Sequence, residues 1–184
     1  NLAQTITTVD GNVAATESLT IDMTANTSTT ATVDISAETN GAITILGGSS
    51  TNTITLSSSS MGDTLTGGAV ADTITVIGAQ LTSADTLNAA AGTDILSIGT
   101  VGTLSDADFT NLSNFETLTV AGAGAITAVL GAEYADAGFV TFNEKQNDDT
   151  SAVNITYGSG VSTAQTYALN TSSTTLSAVG MTAA

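Results

Sequence analysis

The feature that most constrains this chain is a unit of one acid and one short strand that recurs with a period of about 22 residues. Three blocks, 72–76, 94–98 and 116–120, each open with an acid and continue with alternating apolar and polar residues. One further step reaches 138–142, which keeps the strand pattern without the acid. A second series of the same period contains Asp63, Asp85 and, one position late, Asp108. Self-similarity at a fixed period indicates stacked structural repeats.

Two such units per repeat fit the two faces of a flattened solenoid. Short runs with period-two alternation, bounded by Gly, Asn, Asp and Ser, recur along the chain and are typical of strands. Only residues 105–115 have the pattern of a helical turn, with Ser105 or Asp106 as its N-cap. The sequence therefore predicts an all-β fold, a right-handed parallel β-helix or β-solenoid with rungs of about 22 residues.

The same register predicts which side chains stack between rungs, because parallel strands lie about 4.8 Å apart. Two apolar ladders are expected inside the solenoid and a single file of hydroxyls outside it. The predicted inner ladders are Leu65, Leu87 and Phe109, and Ile74, Leu96, Leu118 and Val140. The predicted outer file is Thr75, Ser97, Thr119 and Thr141.

Composition excludes several classes of function. The 184 residues include 17 acids but no His, no Cys and one base, Lys145, so the formal net charge is −16. A Ser-His-Asp triad, a Cys nucleophile and a His/Cys zinc site are excluded. A nucleic-acid surface needs clustered cations, and no apolar run reaches the roughly 20 residues that span a bilayer, so neither nucleic-acid binding nor membrane insertion is expected. The partner that such a chain attracts is a cation.

The turns before the acids suggest which cation. Residues 67–75 follow the nonapeptide G-G-x-G-x-D-x-U-x at every fixed position except Val70, and residues 47–55 fit with Asn52 in place of the aspartate. Such glycine-rich turns aim backbone carbonyls at one point, and Ca²⁺ takes about 6–8 oxygen ligands in irregular geometry. The alternative is that the aspartates only cap turns. The predicted cofactor is Ca²⁺, and its candidate ligands are Asp63, Asp72, Asp85, Asp94 and Asn52.

The stretch 84–96, ADTLNAAAGTDIL, resembles the "DTL-x-GGAGTD-x-L" turn of repeats-in-toxin proteins. It is followed at 112–120 by LSNFETLTV, and this combination is similar to bacterial surface-layer (S-layer) proteins of the repeats-in-toxin type. The resemblance covers residues 47–142. It implies a calcium-stabilised β-solenoid that assembles into a lattice on the cell surface and is exported by a type I secretion system.

These observations predict three segments: 1–46 as N-terminal rungs or a cap, 47–142 as the repeats-in-toxin-like solenoid, and 143–184 as a C-terminal cap or contact region. The expected function is that of a non-enzymatic, extracellular subunit of an S-layer lattice or surface fibre. Its expected partners are further copies of itself, with cell-surface polysaccharide as a second candidate. Two alternatives are an adhesin or ice-binding calcium module, which a single hydroxyl file favours only weakly, and a β-helical polysaccharide-active enzyme, for which Lys145 is the one available base.

Overall fold

A computed structural model describes residues 3–27, 29–76, 80–99, 102–122, 124–145, 152–168 and 174–177. Within these ranges the chain forms seventeen short strands, one 3-10 helix (Asp106–Phe109) and one short helix, α1 (Ala132–Asp136). The strands are β1 (Gln4–Thr7), β2 (Ser18–Asp22), β3 (Ala31–Asp34), β4 (Ala42–Leu46), β5 (Asn52–Thr55), β6 (Thr64–Gly68), β7 (Thr73–Val76), β8 (Thr86–Ala90), β9 (Ile95–Ile98), β10 (Thr103–Leu104), β11 (Leu112–Ser113), β12 (Thr117–Val120), β13 (Ile126–Leu130), β14 (Thr141–Glu144), β15 (Val153–Tyr157), β16 (Thr166–Ala168) and β17 (Thr174–Ser177).

The strands stack into three parallel sheets. Sheet A has eight strands in the order β1-β3-β5-β7-β9-β12-β14-β16, sheet B has five in the order β2-β4-β6-β8-β11, and sheet C has four in the order β10-β13-β15-β17. Along the chain, strands of sheet A alternate with strands of sheet B in the first half and with strands of sheet C in the second. The predicted all-β parallel solenoid is therefore confirmed. Sheet A runs unbroken from Gln4 to Ala168, across the predicted segment boundaries at 46/47 and 142/143.

The solenoid has about 6 turns with rungs of about 24 residues, slightly longer than predicted. The predicted period is found where it was read from the sequence, since Thr73 pairs with Ile95 and Ile95 with Thr117. Elsewhere the step between paired residues varies. It is shorter from Thr53 to Thr73 and longer from Ile126 to Val153.

Inward-facing apolar residues form the ladders of the core, and two predicted members were wrong. Leu65 pairs with Leu87 as expected, but the next residue in that ladder is Leu112. Phe109 is fully buried in the 3-10 helix instead. Ile74, Leu96 and Leu118 stack as predicted, and the ladder then continues into Phe142. Val140 lies just before β14 and is exposed. The step from Leu118 to Phe142 is longer than the predicted period, so Phe142 takes the place in the ladder that was predicted for Val140.

The outward residues of sheet A form two files that cross all eight strands, where the sequence predicted one file. We call them file 1 and file 2. File 1 is Thr5, Thr32, Thr53, Thr73, Ile95, Thr117, Thr141 and Thr166. File 2 is Thr7, Asp34, Thr55, Thr75, Ser97, Thr119, Asn143 and Ala168. Thr141 thus belongs to file 1, and Asn143 occupies the place in file 2 that was predicted for Thr141.

Helical turns enlarge the corners in the second half of the chain. The 3-10 helix follows Ser105 within the predicted 105–115 segment, and Asp108 accepts the Ser105 N–H at 2.8 Å. Helix α1 was not predicted. Asp106 from the preceding rung holds its start, since its carboxylate accepts the N–H groups of Gly131 at 2.7 Å and Tyr134 at 3.0 Å.

All seven aromatic residues of the chain lie between positions 109 and 167, where helical turns enlarge the rungs. Phe139 stacks on Tyr134 with ring centroids 4.9 Å apart and on Phe115 at 5.6 Å. Phe109 meets Tyr134 edge-on at 5.6 Å. Larger rungs enclose more volume, and aromatic side chains fill it at the density that protein cores require. Tyr134 and Tyr157 therefore pack in the core and Tyr167 packs against it, so the tyrosines form no exposed platform in the described part of the chain.

Candidate functional site

The predicted calcium ligands fall into two stacks at the two kinds of corner between sheets A and B. The first, ladder 1, comprises Asn52, Asp72, Asp94 and Glu116, each at the point where the chain enters a strand of sheet A. The second, ladder 2, comprises Asp63 and Asp85, each immediately before a strand of sheet B. The structure thus brings Asn52 together with Asp72 and Asp94, and places Asp63 with Asp85 elsewhere on the rung.

The side chains of these ladders point into the solenoid. Asn52, Asp72 and Asp94 are at most 1% exposed, whereas Glu116 is half-buried. Residue alternation explains the direction: Thr73 and Thr75 face outward and Ile74 faces inward, so the corner residue that precedes Thr73 turns toward the interior. A buried carboxylate is costly unless hydrogen bonds replace its lost water, which makes the partners of these groups decisive.

Those partners are main-chain N–H groups of the preceding rung. Asp72 Oδ1 accepts the Asn52 N–H at 2.6 Å, Asp94 Oδ1 accepts the Asp72 N–H at 2.7 Å, and Glu116 Oε2 accepts the Asp94 N–H at 2.6 Å. Each acid therefore binds the main chain of the ladder residue that comes before it. Hydrogen bonds to a charged acceptor are shorter and stronger than neutral ones, so the repeat links successive rungs at their corners.

The second oxygen distinguishes Asp94 from Asp72. Asp72 Oδ2 accepts the Gly68 N–H at 2.8 Å, which closes the turn between β6 and β7. Asp94 Oδ2 is fully buried and has no hydrogen-bond partner. A buried acceptor left without a partner costs about 1–3 kcal/mol. Asp94 is thus the ladder residue with spare binding capacity.

Ladder 2 uses the same device. Asp63 Oδ1 accepts the Ile43 N–H at 3.3 Å and Asp85 Oδ1 accepts the Asp63 N–H at 2.9 Å, again from the preceding rung. Their second oxygens accept local N–H groups, from Ser57 at 2.9 Å and from Thr82 at 2.9 Å. Both oxygens of Asp63 and of Asp85 are therefore occupied by the main chain.

Burial, with a smaller contribution from neighbouring acids, raises the pKa of two of the stacked acids. Burial raises the pKa of Asp63, and the charge of Asp85 adds to that effect against the N–H bonds from Ser57 and Ile43. Burial also raises the pKa of Asp94, with the Asp72 N–H opposing and the charges of Asp72 and Glu116 adding. Ionised acids at these two positions thus destabilise the fold, and a proton or a cation there relieves that cost.

The glycines of the predicted calcium turns serve a different purpose from the one expected. Gly67 and Gly68 do not adopt the left-handed conformation; instead the corners stack so closely that a Cβ at Gly68 would overlap the Gly48 carbonyl oxygen. A Cβ at Gly67 would likewise overlap the carbonyl oxygen of Ala89. Close approach of neighbouring corners therefore explains the glycine pair before Asp72.

The carboxylate oxygens of the predicted ligands differ in whether a main-chain N–H group already binds them. Within the described ranges, no group of three or more acidic side chains comes together in a way that could hold a metal ion. The oxygens of Asp63, Asp72 and Asp85 already accept main-chain N–H groups, while Asp94 Oδ2 is buried and free of such a bond. Asp94 Oδ2 is accordingly the one carboxylate oxygen of these four aspartates that no hydrogen bond of the described residues occupies.

Glu116 and Glu38 are two of the buried or half-buried acids that were missing from the predicted ligands. Glu116 continues the regular spacing from Asp94, so the sequence did carry its signal. Glu38 has no such signal. It is fully buried, its Oε1 accepts the N–H groups of Thr39, Asn40 and Gly41 at 3.0–3.1 Å, and its Oε2 accepts that of Val13 at 3.3 Å. The Asn40 N–H contributes most to lowering the pKa of Glu38.

No helix in the described ranges has the length and apolar character needed to cross a membrane. Comparisons with protein-family models, with curated proteins and with solved structures gave no match for this chain.

Proposed function

We propose that this chain is a structural subunit of a self-assembling layer or fibre on a bacterial cell surface, of the S-layer kind, and that it is not an enzyme. The observation that carries the proposal is the use made of the buried acids. Asp63, Asp72 and Asp85 each bind main-chain N–H groups with both oxygens. Their hydrogen-bonding capacity is used to join rungs, which is what a mechanical element requires.

The alternative of a β-helical polysaccharide-active enzyme has less support. Acid–base catalysis on a glycosidic bond needs two carboxyl groups free to exchange protons with the substrate. The stacked aspartates are buried inside the corners, away from any sugar on the outer surface. Lys145 is exposed and lies at the end of β14, on a different corner from Asp72 and Asp94.

We propose that Ca²⁺ binds at the corner of Asp94, with Asp72 and Glu116 as the neighbouring acids, and more weakly at Asp63, Asp85 and Asn52. Bound calcium supplies the positive charge that offsets the stacked carboxylates. The chain itself holds the acids in register through the N–H groups of Asn52 and Asp72, so that they cannot move apart. Calcium thereby stiffens the solenoid without creating its fold.

Self-association is supported by the end of sheet A. Among the described residues β1 pairs only with β3 and is therefore the terminal strand of sheet A. Edges of this kind pair readily with strands of another chain. We propose a second copy as that partner, in an extracellular lattice or filament, with cell-surface polysaccharide as a second partner.

Electron microscopy of the purified chain in Ca²⁺, in EGTA and in EGTA followed by fresh Ca²⁺ tests the proposal. We expect ordered sheets or filaments in Ca²⁺, their loss in EGTA and their return when calcium is restored. A parallel sample in Mg²⁺ controls for general screening of the charge of −16. Mg²⁺ is a poor substitute for Ca²⁺ in a binding site, because it is smaller and keeps its water ligands. A monomer that ignores all four conditions would refute both the lattice and the calcium proposals.

A further inference from the structure

The outer face of sheet A is a regular array of hydroxyls, and the proposed function makes no use of it. Eleven of its sixteen outward positions are threonine and one more is Ser97. Neighbours within a file lie about 4.8 Å apart, and the two files are about 6.6 Å apart along each strand, or two residues of about 3.3 Å. The result is a two-dimensional grid of hydroxyl and methyl groups.

This grid is nearly uncharged on a protein with a net charge of −16. Its one acid is Asp34, whose Oδ1 is already bonded to the N–H of Ser36 at 3.0 Å and to the Ser36 hydroxyl at 2.6 Å. Threonine is also stiff at χ1, so the array keeps its spacing without further ordering. A surface that avoids ions in so acidic a chain suits a ligand that carries no charge.

Thr119 in file 2 has hydrogen-bonding capacity that the described part of the chain does not use. By register it faces outward between Ser97 and Asn143, yet it is only 4% exposed and its Oγ1 has no hydrogen-bond partner. An unbonded buried hydroxyl is costly. Ser97 and Asn143, its neighbours in the file, are only half-buried, so the grid around Thr119 offers uncharged polar groups to a ligand.

We propose that the outer face of sheet A binds ordered water in the form of ice. An ice surface is a neutral, two-dimensional repeat of O–H groups, and the two files present hydroxyls in rows with repeats of a similar size. A polysaccharide fits less well, because sugar rings are bound by stacking on exposed aromatic residues. None of the sixteen outward positions is aromatic, and Phe142 and Tyr167 face inward in this sheet. This activity is independent of the lattice proposed above.

Ice recrystallisation inhibition and thermal hysteresis of the full chain test the inference, each measured with Ca²⁺ and with EGTA. Thr53→Lys and Thr75→Lys place a long cation in the middle of the grid and should reduce both activities at least about tenfold, which corresponds to about 1.4 kcal/mol of binding free energy. The matched controls are Thr64→Lys and Thr86→Lys on the outer face of sheet B, which should leave both activities unchanged.

Circular dichroism and the unfolding midpoint establish that all four variants fold like the parent chain. A parent chain without activity in either buffer overturns the inference. So does an equal loss in the sheet A and sheet B variants, because the binding surface would then not be sheet A. Failure to form a lattice in the microscope has no bearing on either readout, so the two proposals fail separately.

Discussion

Asp94 and Asp72 are the same residue type in the same place on successive rungs, and they differ in the bonding of one oxygen atom. Asp72 Oδ2 binds the Gly68 N–H, whereas Asp94 Oδ2 is buried without a partner. Three N–H donors converge on the Asp72 carboxylate, from Asn52 twice and from Gly68 once. Removing negative charge should therefore have opposite consequences at the two positions.

Asp72→Asn should destabilise the fold and Asp94→Asn should not. Whichever way the new amide at position 72 is turned, its NH₂ group faces an N–H donor, which should cost about 1–3 kcal/mol. At position 94 the amide oxygen still accepts the Asp72 N–H, and the like-charge repulsion is gone. Urea unfolding of both variants in EGTA measures the difference.

The same two variants test the calcium site. If the cation binds Asp94, the parent chain and Asp72→Asn gain stability on adding Ca²⁺, whereas Asp94→Asn gains little. Equal costs of the two substitutions in EGTA would show that Asp94 Oδ2 has a partner after all. An undiminished calcium effect in Asp94→Asn would move the site elsewhere.

At the scale of the elements, corners rather than strands set the length of each rung. The shorter rungs between β5 and β9 have corners in which glycines let the backbones touch, as Gly68 does against Gly48. The longer rungs from Thr117 to Thr141 and from Ile126 to Val153 have α1 inserted. Strand pairing is parallel throughout, so a change in a corner shifts the register of every residue that follows.

Replacing Gly68 by alanine should therefore destabilise the solenoid, since the added Cβ overlaps the Gly48 carbonyl oxygen and the corners must separate. Overpacking of this kind typically costs about 1–3 kcal/mol. Gly102→Ala is the matched control, because a Cβ there meets no atom within 4 Å. Its unfolding free energy should stay within about 0.5 kcal/mol of the parent. Similar urea midpoints for the two variants would contradict the close-stacking explanation.

The corners also explain which parts of the fold were predictable. The corners keep the predicted spacing from Asp63 to Asp85 and from Asp72 to Asp94, so the period places each of these pairs correctly. After position 120 the period fails. Helix α1 is short and has no apolar repeat of its own, yet the longer corner that contains it replaces Val140 by Phe142 in the inner ladder. The same shift moves Thr141 into file 1. The predicted file joined Thr141 to members of file 2, so the sequence predicted one file where the structure has two.

The sequence could not predict which carboxylate oxygens accept main-chain hydrogen bonds, for a related reason. Spacing reveals that Asp72 and Asp94 stack, but the donor that each carboxylate receives depends on the path of the turn before it. Glu38 is the extreme case, because its four N–H donors come from Val13 and from its own turn, and neither belongs to the repeat. Calcium binding and turn capping therefore looked alike from the residues alone.

For the molecule as a whole, part of the excess of 17 acids over one base lies in the interior of the fold. At least six of the acids are buried, namely Glu38, Asp63, Asp72, Asp85, Asp94 and Glu144. Some are stabilised by their hydrogen bonds and others are destabilised by burial beside another acid. Stability should thus depend on pH in a way that the net charge alone would not reveal.

Stability in metal-free buffer should rise as the pH falls from 7 toward 4, and then decline. The pKa values of Asp63 and Asp94 are raised above 3.8, so the folded state binds protons more tightly there and gains stability as those protons bind. The pKa of Glu38 is lowered below 4.5, so its contribution is present at higher pH and is lost only as the pH falls through the folded value. Thermal unfolding at half-unit steps of pH checks the sign; a steady decline from pH 7 to 5 would contradict it.

The hydrogen bonds that join rungs within the two ladders all run the same way along the solenoid, from the N–H of one rung to the acid of the next. A rung is therefore unfinished until its successor docks, because the donors at Asn52, Asp72 and Asp94 are satisfied only by acids from the following rung. The stack therefore has a direction, because the N–H donors of each rung bond to acids of the rung that follows it in the chain. Successive rungs of this solenoid are therefore not interchangeable, because each one satisfies the N–H donors of the rung before it.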